Sequence, residues 1–190
     1  YGTWVVAGAV VIGVAVTAFV GWRQYDRAQR AAASAAYSAA LAQIATDPAV
    51  ARAALEKQAV DALQPYRSLA ALTAAQLRPT LEEQVTALSS VAPSLSASEL
   101  SDLALVIAAF KSIDTPKAAE MVARLEPLAA PGRPFGLSVR ELQAMLAVRK
   151  GDTKRAKELW NEIAKDPAVP QGTSQRVTAM LNLHGGAEAR

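Results

Sequence analysis

TWVVAGAVVIGVAVTAFVGW, residues 3–22, is a run of twenty residues without a single charge. As a helix rising 1.5 Å per residue it is roughly 30 Å long, the thickness of a bilayer's hydrocarbon core. Trp4 and Trp22 stand at its two ends, where amphipathic rings favour the headgroup boundary, and Arg23 follows at once, so these three read as interfacial anchors. The stretch is expected to be a transmembrane helix. A cleaved signal peptide would have a shorter apolar region and a small-residue cleavage site, whereas this run leads into Gly21, Trp22, Arg23, Gln24 and Tyr25. A buried core helix would need a larger soluble domain around it than the rest of the chain supplies.

Ala9, Gly13, Thr17 and Gly21 recur every fourth residue and stack into one stripe of small side chains. Lipid gives helices no hydrophobic reason to associate, and small residues that let backbones approach supply packing instead, so the stripe implies a protein partner in the membrane. Against this stands the general abundance of Gly and Ala in membrane spans. Orientation is open: Arg23, Arg27 and Arg30, offset by Asp26, follow the span, but the positive-inside rule compares two flanks. The chain starts at Tyr1, so a preceding segment is expected to carry the other flank.

Beyond residue 22 remain 168 of the 190 residues, enough for one cored domain or a short helical array. The absence of cysteine rules out disulfides and thiolate ligands. A formal net charge of +3, spread along the chain, does not make a nucleic-acid footprint.

Downstream, residues 23 to about 45 are alanine-rich without Pro or Gly, which predicts that the span continues outward as one long helix, with Tyr37, Leu41 and Ile44 as its apolar stripe. Asp47-Pro48 reads as a cap with proline at the first helical position, opening a helix that holds Val50, Ala54, Leu55 and Leu63. Pro65 opens the next, with Tyr66, Leu69, Ala70 and Leu77 inward. Thr80 and Glu83 have capping-box spacing, and Ser96 to Glu99 repeat it ahead of Leu100, Leu103, Ile107 and Phe110. Thr115-Pro116 is expected to cap a helix carrying Ala119, Val122 and Leu125, and Pro131-Gly132-Arg133-Pro134 is a loop. Leu142, Leu146 and Ala147 then share a helix ending at Gly151; Asp152-Thr153 starts one with Ala156, Leu159, Trp160 and Ile163; a last helix carries Val177, Met180, Leu181 and Leu183. No stretch alternates with a two-residue period, so the fold class is all-α. Short helices joined by short turns pack as antiparallel neighbours and suggest tetratricopeptide-like hairpins, an α-solenoid, with a close-packed Ala/Leu bundle as the alternative. The best hairpin is residues 138–170, where Ala144 and Ala156 sit at the helix crossing.

Chemistry is sparse. His184 is the only histidine and, without cysteine, cannot build a zinc site; it reads as a frayed surface residue. Glu82, Glu83 and Glu99 sit at helix starts, where a carboxylate suits the dipole. Glu158 and Glu162 face Lys154, Lys157 and Lys165 at helical spacing, a solvated face. The basic cluster Arg149, Lys150, Lys154, Arg155 and Lys157 reads as a solvated hairpin tip in preference to a lipid or partner contact. No phosphate-binding glycine loop and no G-x-S-x-G elbow occurs. No cofactor, metal, nucleic acid, small-molecule substrate or catalytic residue is expected.

With these residues in view, the chain resembles the bacterial ancillary subunits of the SecYEG translocon, single-span inner-membrane proteins with a periplasmic tetratricopeptide-like domain. The resemblance lies in the span ending Gly21-Trp22-Arg23-Gln24-Tyr25, the run Ala32-Ala33-Ser34-Ala35-Ala36-Tyr37, the segment Tyr66-Arg67-Ser68-Leu69-Ala70, and the closing pair from Gly151-Asp152 through Ala156 to Leu159-Trp160. It implies a helical domain on the periplasmic side, meeting chaperones and emerging secreted chains. The expected organisation is therefore a transmembrane anchor at 1–22, a juxtamembrane helix at 23–46 and a tetratricopeptide-like domain at 47–190. The expected function is a non-enzymatic, membrane-anchored protein-interaction scaffold, with the bilayer and a membrane protein complex as partners. The alternative is a structural accessory subunit held against a large respiratory or photosynthetic complex through the stripe.

Overall fold

In the computed structural model, the backbone is described for residues 2–130 and 132–185, and side chains for 15–130 and 132–184. Among the described residues the chain is all-α: α1 (Gly2–Gln43), α2 (Pro48–Asp61), α3 (Tyr66–Gln76), α4 (Leu81–Val91), α5 (Ser98–Ser112), α6 (Ala118–Arg124), α7 (Gly136–Arg149), α8 (Thr153–Ala164) and α9 (Gln171–Gly185). Single 3-10 turns at Ala92–Ser94 and Glu126–Leu128 follow α4 and α6. Two compact units divide the chain, Tyr1–Ala74 and Ala75–Arg190.

The first unit is built on α1. Its 42 residues run without a break, as the alanine-rich composition after the apolar run predicts, because alanine loses no side-chain entropy in a helix. Among the described residues no helix is long and apolar enough to cross a membrane; residues 3–14, most of the apolar run, lie outside those whose side chains are described. The turn to α2 is made as expected: the Asp47 carboxylate accepts from the N–H groups of Ala49 and Val50, both at 3.1 Å, with Pro48 opening the helix. α2 buries Ala51 and Leu55. α3 meets α1 through Tyr37, whose hydroxyl lies 2.9 Å from that of Thr73 and whose ring is 6.0 Å from that of Tyr66.

The expected apolar stripes in this unit need correction. Leu41 is 39% exposed and Ala40 takes the buried place beside Tyr37 and Ile44. Val50 and Leu63 are also exposed, and Leu63 lies beyond the end of α2. In helices so rich in alanine almost every position is apolar, so the few large residues do not mark the inner face. Ser68, by contrast, is buried, its hydroxyl donating to Oε1 of Gln64 at 2.9 Å; the Gln64–Pro65 peptide is cis.

In the second unit each helix contacts the next, α4 with α5, α5 with α6, and so on to α8 with α9, while α5 also touches α7. That contact between every other helix is how hairpins stack when one hairpin cannot bury its apolar face alone. The core of the last hairpin holds Ala144, Ala147, Ala156, Leu159, Trp160, Ile163 and Val177. Ala144 and Ala156 are fully buried, as expected for the crossing. Leu183 belongs to no core: it is 72% exposed.

Helix starts follow the sequence in part. Thr80 accepts from the Glu83 N–H at 3.2 Å, and Asp152 from that of Arg155 at 3.0 Å. Ser96 does not cap α5; the N-cap is Ala97, with no side-chain bond. Nor does Thr115 cap α6, which begins at Ala118 after Lys117. The Thr115 hydroxyl instead donates to the Ser112 carbonyl at 2.7 Å and accepts the Lys117 N–H at 3.3 Å, a local turn that competes with the helix.

α7 stops where expected. Gly151 adopts φ +80°, the left-handed conformation that closes a helix C-terminus, with open space around it. Replacing Gly151 by alanine therefore meets no clash but strains the backbone, and is expected to lower stability by about 1 kcal/mol, read as a lower denaturant midpoint.

Candidate functional site

A concavity of ≈ 690 Å³ lies between α1 and α2. Its floor is Ala32, Ala36 and Ala39 from α1 and Ala54 from α2, with Tyr25 and Gln29 at one end and Gln43 at the other. Lys57, Gln58 and Asp61 form the α2 wall. The geometry follows from helix phase. Tyr37 points to α3, and Ala36 lies about 100° round the helix from it, while Ala33 and Ala40, which also line the groove, lie nearer the Tyr37 face. Lys57 and Asp61 are exposed and one turn apart; among the described residues neither makes an ion pair within the chain. Oε1 of Gln58 is buried without a hydrogen-bond partner. An alanine floor beside a wall that carries Lys57 and Asp61 can bind a partner through both apolar and charged contacts. Among the described residues no group of three His, Asp or Glu could hold a metal.

Of the residues singled out in the sequence, Trp4, Ala9 and Gly13 lie outside those whose side chains are described. Thr17 and Gly21 are exposed, and a Cβ on Gly21 would meet nothing within 4 Å. Trp22 is 65% exposed, and the Arg23 guanidinium lies 5.2 Å from the centre of the Phe19 ring. The groove brings none of them together. Sequence reading missed it because its floor is alanine, which carries no chemical signal.

Further side chains make contacts that local spacing did not disclose. His184 is not frayed: its ring stacks on buried Trp160 at 5.4 Å and 20°. Arg149 is no solvated tip, since its Nη1 donates to the carbonyls of Ile113 and Thr115 and ties the end of α7 to the turn before α6. Arg155 reaches both Glu158, at 3.2 Å, and Glu162, at 4.0 Å. Glu141, 6% exposed on α7, receives a two-pronged bond from Arg176 of α9 at 2.9 and 2.8 Å. That bond to the carboxylate raises the Arg176 guanidinium above its ordinary value, against the opposing effect of burial. A Glu amid apolar α7 positions was the available signal for a buried partner.

The model of a tetratricopeptide repeat-like domain family matches residues 1–182. No curated protein matches the chain, and no solved structure does.

Arg176→Met would leave the Glu141 carboxylate buried without its fork. Because the guanidinium is itself half exposed, the expected cost is about 1 to 2 kcal/mol, seen as roughly tenfold faster hydrogen exchange of α9 amides.

Proposed function

The chain belongs to the tetratricopeptide repeat-like domain family, and from that membership we propose that it is a membrane-anchored, non-enzymatic scaffold that holds partner proteins beside an inner-membrane complex. Family members of this kind are protein-interaction modules, and the groove on the first hairpin, alanine flanked by polar residues, has the composition of a binding surface. The observation that carries the anchoring is the continuity of α1. The apolar run and the first helix of the array are one element, and the described part of that run holds Val16, Phe19, Val20 and Trp22 half or more exposed. In water each such side chain forfeits about 1.5 to 3 kcal/mol of burial; in lipid it does not. Arg23 beside the Phe19 ring marks the boundary where charge begins.

The location follows the resemblance to translocon ancillary subunits: the inner membrane of a bacterium, the helical domain in the periplasm, and partners among the translocon, its emerging chains and periplasmic chaperones. Tethering confines the domain to the membrane surface and raises its effective concentration for anything anchored there. The second reading, a fixed subunit of a respiratory or photosynthetic complex docked through the stripe of Ala9, Gly13, Thr17 and Gly21, is supported by the open space at Gly21 and the exposure of Thr17.

Topology is tested directly because the chain has no cysteine. With Leu183→Cys, an exposed position, a membrane-impermeant maleimide is expected to label intact cells whose outer membrane has been permeabilised; labelling only after lysis overturns the periplasmic placement. Gly13→Leu with Gly21→Leu separates the two readings. A scaffold is expected to keep its partners after mild detergent extraction, whereas a subunit docked through the stripe would lose its complex.

A further inference from the structure

We propose that the groove between α1 and α2 receives a single helix from a membrane-anchored partner, the segment by which that partner's own span leaves the bilayer. The inference rests on the anchored-scaffold reading and names the class of partner.

Position is the first ground. Tyr25, at one end of the groove, follows Trp22 by three residues, about 5 Å along the helix, so the groove starts where the apolar run stops. From there to Gln43 it follows α1 for roughly 27 Å, the length of five helical turns. A rod laid in it runs alongside the axis of the span, and the chain that enters at Tyr25 comes from the membrane.

Composition is the second. Ala32, Ala36, Ala39 and Ala54 offer methyl groups and no hydrogen-bond partners. An extended peptide would have to desolvate backbone N–H and C=O groups against that floor, whereas a helix satisfies its own. Small floor residues also let a helix axis come close.

Charge is the third. Lys57 and Asp61 stand one turn apart on the wall, neither making an ion pair among the described residues, and Gln58 Oε1 beside them has no hydrogen-bond donor there. The complementary helix carries an acid and a base three or four residues apart, on the flank of a seam of small and leucine-sized residues.

The test uses the full chain in its membrane, with a photo-crosslinking amino acid at Ala36 in the groove and, separately, at Leu183 as a reference; both positions are exposed. The crosslinked segment at Ala36 is identified by mass spectrometry. The expected product is a helix following a partner's span and bearing the acid–base pair. Lys57→Glu with Asp61→Lys should cut its yield about tenfold, and exchanging the two charges on the partner should restore it. Crosslinks to a second copy of this chain, to lipid alone, or to a segment without the charge pair overturn the proposal, as does a yield indifferent to the charge exchange. A partner caught at Leu183 with nothing at Ala36 sinks the groove and leaves the scaffold standing; nothing caught at either sinks both.

Discussion

Close approach of helices through alanine is the constraint on which the rest of this structure depends. Ala51, Ala70, Ala104, Ala108, Ala109, Ala144 and Ala156 are all fully buried. Each contributes little area, but each is ordered at no side-chain entropy cost and removes the bulk that would hold two helix axes apart. Dispersion between closely apposed backbones then adds to the burial of the larger residues set between them, Leu55 in the first unit and Leu88, Leu125, Leu142 and Trp160 in the second.

The same economy explains what the sequence disclosed. The α7 and α8 hairpin was legible almost residue by residue, because Gly151 and Asp152 punctuate it and Trp160 and Ile163 contrast with the lysines and glutamates around them. The phase of α1 was not, because from Arg23 to Gln43 alanine occupies both its buried and its open faces. Choosing Tyr37, Leu41 and Ile44 by size shifted the stripe by one position at Leu41, and the same lack of contrast concealed the groove. Caps failed where a hydroxyl had a nearer use: Thr115 bonds within its own turn. The paired Glu141 and Arg176, 35 residues apart, and the stacking of His184 on Trp160 depend on tertiary proximity that no local spacing encodes.

Polar ties supply what alanine cannot, which is specificity of register. Methyl surfaces slide easily over one another, whereas the fork of Arg176 on Glu141 fixes α9 against α7, and Arg149 fixes the end of α7 against the turn before α6. In the first unit the contact of the Tyr37 and Thr73 hydroxyls does the same between α1 and α3. The open wall at Lys57 and Asp61 carries the same kind of group without an ion-pair partner among the described residues.

Beyond Gly21, α1 has neither proline nor glycine, the residues that most often kink a helix. Embedded at its apolar end, such a rod converts angle into reach. The part beyond residue 22 is about 30 Å long, and a typical inclination of about 20° from the bilayer normal carries its far tip roughly 10 Å sideways. With the anchor as proposed, the interfacial residues and neighbouring helices that set the inclination would also set how far the tip of α1 reaches.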